Sequence, residues 1–166
     1  WSRRQFFDES GLIWVDPSPN MRNLNQALLY PGIGLLETTN LSVGRGTDTP
    51  FERIGAPWLD GRDLARALNQ CQLPGVKFTP LNFRPTVSKF EGELCGGVQI
   101  LLTDRNAFDP LETGLSIVRE LKDLYGDAFH VDRVNNLLFE KNLLEKVKAT
   151  TGPTRYTPLW ADGMIA

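Results

Sequence analysis

Eleven residues, Glu37 to Thr47 (ETTNLSVGRGT), carry a dense and varied set of hydrogen-bonding groups. They offer one carboxylate (Glu37), one guanidinium (Arg45), one amide (Asn40) and four hydroxyls (Thr38, Thr39, Ser42, Thr47). Gly44 and Gly46 make the backbone supple, and only Leu41 and Val43 are plainly apolar. A phosphate-cradling loop would need the spacing GxxxxGK[ST]. That spacing is absent, and no lysine follows to reach a phosphate. The dinucleotide fingerprint GxGxxG is also missing, since Gly32-Ile33-Gly34 supplies its first half alone. A saccharide site fits better. Sugars present hydroxyls at fixed angles, so they are read by converging Asn, Glu, Arg and Ser/Thr groups with an aromatic over an apolar ring face. Glu37, Asn40, Ser42, Arg45 and Thr47 are such a set, and Trp58 is the candidate aromatic. Arg45 can equally grip a carboxylate with two parallel hydrogen bonds. A plainer reading stays open. Asn40 and Ser42 would cap local turns, Arg45 would pair with Glu37 or Glu52, and Trp58 would pack in the core.

Other residues exclude other chemistries. His130 is the single histidine, which argues against a Ser-His-Asp triad and against a His-rich metal site. It reads as a solvated turn residue after Phe129. Cys71 and Cys95 lie too far apart for a CxxC motif or a zinc framework. They read as buried free thiols, with a single disulfide as the alternative in an oxidising compartment. The chain has 166 residues, 41% hydrophobic and 23% charged, with a net charge of −2. That suits one domain with a real core. No basic stripe marks a nucleic-acid surface, and no apolar run is long enough to span a bilayer. No signal-peptide pattern opens the chain. It begins at Trp1 rather than Met, which points to a processed protein or an excised piece.

The elements that must position these groups can be sketched from periodicity and caps. Gly11 to Val15 is a short apolar run expected as a strand. PSPN (17–20) is a loop, because two prolines bar a helix. Asn23 caps a short helix to Tyr30, with Leu24, Ala27 and Leu28 on one face and Pro31-Gly32 ending it. Residues 33–36 follow as a buried strand or turn. Asp60 caps a helix to Cys71 with a buried stripe of Leu64, Leu68 and Cys71. Val76–Thr79 and Val98–Thr103 read as strands, the second apolar on both faces and therefore central. Asp109 caps the clearest helix, with Pro110 in its first turn, Glu112 in a capping-box-like position, and a core face of Leu111, Leu115, Val118, Leu121 and Tyr125. A last helix covers 132–149 and stops at Gly152-Pro153. The class is α/β or α+β, a small mixed β-sheet flanked by helices.

The motifs say more. PSPN (17–20), ALLYPGIGLLETTNLSVGRGT (27–47), PFERIGAPW (50–58) and CGGVQILLTD (95–104) resemble, in order and spacing, one bacterial family. It is the C-terminal part of the exo-β-N-acetylmuramidases, the NamZ-like glycoside hydrolases long catalogued as a domain of unknown function. The likeness runs over roughly residues 1–130. It implies a two-part enzyme that releases N-acetylmuramic acid from the non-reducing ends of peptidoglycan fragments. A Rossmann-like N-terminal domain would carry the catalytic carboxylate in a Pro-Glu-His-Gly-type motif, which this chain lacks. Residues 1–10 would then be a linker and 11–166 a single domain closing one wall of the cleft. The resemblance places Glu37, Asn40 and Arg45 at the substrate, or at the catalytic residues of the partner domain, with Ser18, Asn20, Ser42, Thr47 and Trp58 beside them. Glu37 is the candidate for direct chemistry, or else an orienter of the sugar. Arg45 is the candidate partner of the lactyl carboxylate. No cofactor and no metal are implied. The expected partners are a peptidoglycan-derived saccharide and the N-terminal domain, with no nucleic acid and no membrane span. The expected compartment is the cell envelope or the exterior. The rival reading is a non-catalytic carbohydrate-binding or interaction module.

Overall fold

The computed structural model describes residues 2, 5–152 and 156. Three strands form one sheet in the order β1-β3-β2: β1 is Arg53–Ala56, β2 is Val76–Phe83 and β3 is Cys95–Leu102. The sheet expected to be mixed is antiparallel throughout, with Val98 opposite Ile54 on one side and Pro80 on the other. This makes the domain α+β rather than α/β. The apolar stretch read as central is central, paired by β1 on one edge and β2 on the other, but only one of its faces is fully buried: Val98 and Ile100 face the core while Leu101 is exposed. Pro80 is tolerated because β2 is an edge strand, where a missing N–H costs no ladder bond.

The described residues form five helices: α1 (Leu24–Ile33), α2 (Gly61–Gln70), α3 (Pro110–Tyr125), α4 (Asn135–Leu138) and α5 (Lys141–Ala149). Helix α2 packs on the sheet, α3 on α2, and α1 and α5 on α3. Their starts follow the expected caps. Asn23, Asp60 and Asp109 each accept a backbone N–H from the first turn of α1, α2 and α3. Leu64 and Leu68 of α2 pack with Val98 and Ile100 of β3 and with Leu115, Val118 and Leu121 of α3 in one core. Burying each such leucine stabilises the fold by about 1.5–3 kcal/mol.

Four local expectations are corrected. Gly11–Val15 is not a strand; Leu12, Ile13 and Val15 are exposed, and among the described residues no strand lies beside them. Pro31 does not end α1 but lies inside it. The helix continues because α1 packs unusually close to α3: a Cβ on Gly32 would sit 1.9 Å from the Pro110 carbonyl oxygen. Gly114 meets Gly32 from the other side, and this contact outweighs the lost helix bond. The buried face of α1 is accordingly Gln26, Leu29, Gly32 and Ile33, not the Leu24 stripe. Residues 34–36 form a buried 3-10 turn that leads into Glu37. The last helix is broken: a 3-10 turn at Val131–Val134 and α4 precede α5, and Phe139 takes φ 54 between α4 and α5. Glu140 then caps the new start by accepting Asn142 N–H. The expected stop at Gly152-Pro153 lies partly outside the described residues.

The segment before residue 11 folds back on the domain. Arg105 pairs with Asp8 and Glu9 and stacks 4.3 Å over the Phe6 ring.

Candidate functional site

The stretch from Glu37 to Asn40 leaves the 3-10 turn with its carbonyls free, and a distant lysine collects them. Lys89 donates to the Glu37 carbonyl at 3.0 Å and also to the Thr39 carbonyl. A cation at a helical C-terminus is favourable there. Burial pushes the Lys89 amine below its ordinary range; the Glu37 carboxylate opposes that shift and Arg133 adds to it. The Glu37 side chain accepts a 2.5 Å hydrogen bond from Arg45 Nε. The Arg45 guanidinium also lies 5.3 Å from the Phe51 ring centroid. So Glu37 and Arg45 are first of all partners of each other.

Asn40 is a clamp. Its amide donates to the Ala128 carbonyl at 2.8 Å, and its oxygen accepts the His130 N–H at 2.9 Å. Thr38 adds a bond to the Arg133 carbonyl at 2.5 Å. These bonds hold the loop after α3 against the Glu37 segment, and leave His130 itself exposed. Ser42 is buried; it exchanges backbone bonds with Gly55 at 2.9 and 3.0 Å, and its Oγ accepts Gly44 N–H. Trp58 packs edge-on against Tyr125 with centroids 5.3 Å apart.

A different part of the same stretch opens onto a groove of 660 Å³. PSPN and the Gly44–Thr47 turn meet there, bringing Asn20 and Thr47 together with Arg22, Arg53, Asn82 and Arg84. The two glycines make the meeting possible. Gly44 has φ 80, and a Cβ there would touch Arg53 Cγ at 2.8 Å. Gly46 has φ 79, and a Cβ there would sit 2.4 Å from the Val87 carbonyl oxygen. Thr86 seals this contact, donating from both N–H and Oγ to the Gly46 carbonyl at 2.8 and 3.0 Å. Thr47 Oγ closes the turn on the Gly44 carbonyl at 2.7 Å. Ser18 acts behind the rim, its Oγ accepting the Asn20 N–H at 3.2 Å and its carbonyl the Met21 N–H. Of the residues singled out in the sequence, Asn20 and Thr47 line this groove; Ser18, Glu37, Asn40, Ser42, Arg45 and Trp58 do not.

Sequence reasoning passed over Lys89, Arg22, Arg53 and Arg84. Arg53 had a visible signal, since it sits inside PFERIGAPW. The others are isolated basic residues whose convergence depends on chain pairing. Among the described residues, no group of three His, Cys, Asp or Glu could hold a metal ion. No helix there is long and apolar enough to cross a membrane. Chemically, the groove offers amides, hydroxyls and guanidiniums, groups that can donate hydrogen bonds to a polar ligand.

The family profile described as "Exo-beta-N-acetylmuramidase NamZ, C-terminal" matches residues 28–166. The chain belongs to the NamZ C-terminal family. It is 47% identical, over 129 residues, to the peptidoglycan beta-N-acetylmuramidase NamZ of Bacillus subtilis (strain 168). That alignment covers 78% of this chain and 31% of the relative, so the chain spans about a third of that protein's length. Among solved structures it is similar to a DUF1343 family protein (BF0371) from Bacteroides fragilis NCTC 9343, with TM-score 0.83 and 26% identity. The match covers 99% of this chain and 46% of that one. A second DUF1343 protein (BF0379) from the same organism gives TM-score 0.59 at 25% identity, over 83% of this chain and 36% of that one. The α+β arrangement described above is therefore that of the NamZ C-terminal domain.

Proposed function

We propose that this NamZ C-terminal domain forms one wall of the saccharide-binding cleft of an exo-β-N-acetylmuramidase acting on peptidoglycan fragments. Its role there is to bind and orient the glycan. The observation that carries this reading is the 47% identity to a relative named peptidoglycan beta-N-acetylmuramidase. The groove supports it, because Asn20, Thr47, Asn82 and three arginines form the donor-rich inventory that a sugar with amide and acid substituents requires. Most glycosidases use two carboxyl groups flanking the scissile bond. In this chain Glu37 gives one oxygen to Arg45. The main catalytic carboxylate is therefore assigned to a Rossmann-like domain in the portion of the relatives that this chain does not span. Glu37 is assigned to shaping the cleft wall. A peptidoglycan substrate assigns the protein to the cell envelope or the exterior, which fractionation tests directly.

Hydrolysis of a chromogenic β-N-acetylmuramide tests the reading. The chain alone should be inactive, and the chain joined to its Rossmann-like domain should turn over. Turnover by the chain alone would move the chemistry onto its own carboxylates, Glu37 first. If neither form reacts, the carbohydrate-binding module remains as the better account.

A further inference from the structure

The chain carries a net charge of −2, yet one face of it is strongly positive. The groove between PSPN, the Gly44–Thr47 turn and the start of the Arg84 loop is lined by Arg22, Arg53 and Arg84, against the single acid Asp48. Among the described residues, no carboxylate pairs with any of these three arginines within 4.0 Å. Arg45, Arg66, Arg105 and Arg119 all have such partners. Three guanidiniums gathered around one acid leave a surplus of positive charge that repels itself, so their convergence points to an anion supplied from outside.

Arg53 is the most tightly held of the three. It opens β1 opposite Gln99, its Cγ lies against Gly44, and its guanidinium stands 5.8 Å from the Phe83 ring centroid. Its Nε is buried and has no hydrogen-bond acceptor. A buried donor left unpaired is costly, and such an orphan marks a place where a ligand atom belongs. Arg22 and Arg84 are each tethered by one bond, Arg22 Nε to the Pro19 carbonyl at 2.8 Å and Arg84 Nη1 to the Gly92 carbonyl at 2.9 Å. Among the described residues, no other hydrogen-bond acceptor is seen for their guanidiniums.

We propose that Arg53, flanked by Arg22 and Arg84, reads a carboxylate on the saccharide and so selects an acidic amino sugar over its neutral counterpart. This rests on the saccharide-cleft reading above, and it moves carboxylate recognition from Arg45, which is engaged with Glu37, to the groove. The planar guanidinium matches a carboxylate with two parallel bonds, which a lysine cannot reproduce. Asn20, Asn82 and Thr47 around it serve the ring hydroxyls and the acetamido group.

Two measurements test this. In the protein joined to its Rossmann-like domain, kcat/KM is compared for a chromogenic β-N-acetylmuramide and its lactyl methyl ester. The free acid should be preferred by about tenfold or more, and Arg53→Gln should lower its kcat/KM by about 10- to 100-fold, mainly through KM. The ester should be unaffected, so that the preference collapses. Arg84→Gln, at an exposed residue, should erode the preference in the same direction. Equal losses on acid and ester would make Arg53 structural and overturn the proposal, as would an unchanged preference. Binding is followed separately on this chain through the Arg53 Nε–H resonance, with N-acetylmuramic acid, its methyl ester and N-acetylglucosamine as probes. A shift with the free acid alone supports the proposal even if no hydrolysis is found, in which case only the enzymatic reading fails. A shift with none of the probes, or with all three equally, overturns it.

Discussion

Replacing Gly46 with alanine should destabilise the domain through two separable effects. The first is conformational. Gly46 has φ 79, and an L-residue forced into that region costs about 1–2 kcal/mol. The second is steric. The new Cβ would lie 2.4 Å from the Val87 carbonyl oxygen and 2.7 Å from its nitrogen. Both are backbone atoms, so no rotamer change relieves the clash, and overpacking of this kind costs about 1–3 kcal/mol. Together the loss is about 2–5 kcal/mol. With a urea dependence of about 2 kcal/mol per molar, the unfolding midpoint should fall by about 1–2.5 M. Gly11 provides the control. It has φ 75 with nothing within 4 Å of its would-be Cβ, so Gly11→Ala carries the conformational cost alone. Equilibrium urea unfolding of both variants, followed by tryptophan fluorescence and circular dichroism, separates the two effects. Equal midpoints for Gly46→Ala and Gly11→Ala would refute the reasoning. That result would mean that the Val87 loop moves aside freely and that the groove wall is not rigid.

Further outcomes follow from the same geometry. Asn40→Ala removes the bonds to Ala128 and His130, so it should cost about 1–3 kcal/mol in urea unfolding and accelerate hydrogen exchange at the His130 amide. A double-mutant cycle on Glu37→Gln and Arg45→Gln should give a coupling of about 0.5–1 kcal/mol, as expected of a part-exposed pair. In the joined protein, Glu37→Gln should retain turnover of a β-N-acetylmuramide, and abolished turnover would return Glu37 to the chemistry. The two thiols predict a pH dependence. Burial, reinforced by the Glu120 carboxylate at Cys71 and by Glu93 at Cys95, pushes both from about 9 to about 11. Folding therefore favours the neutral thiol. Its contribution is complete below about pH 9 and is lost as pH rises toward 11, so the urea midpoint should be flat from pH 7 to 8.5 and fall above it. Alkylation by iodoacetamide at pH 8 should be much slower than for the urea-unfolded chain.

Much of this protein was legible without a fold. Asn23, Asp60 and Asp109 announce helix starts because a cap acts over three residues and needs only local sequence. The run from Val98 announces a strand by its apolar content, and its central place comes from pairing with β1 and β2 rather than from burial of both faces, since Leu101 is exposed. The motif series carries the family. Where contacts span the chain, local signals misled. Pro31 should stop a helix, yet the Gly32–Gly114 crossing, set by two residues far apart in sequence, keeps it going. Leu12, Ile13 and Val15 have strand chemistry but, among the described residues, no strand to pair with. The opening stretch divides in the same way. Its residue types foretold a polar site, but the types alone could not say which groups bind one another. Tertiary structure turns Glu37, Asn40 and Arg45 inward to Arg45, the 128–130 loop and Glu37, and leaves Thr47 at the groove with Asn20. Three arginines at positions 22, 53 and 84 converge only because β1 pairs with β3 and the Val87 loop docks on Gly46. A guanidinium's partner is chosen by distances of a few ångströms, and those distances come from the whole chain packing at once.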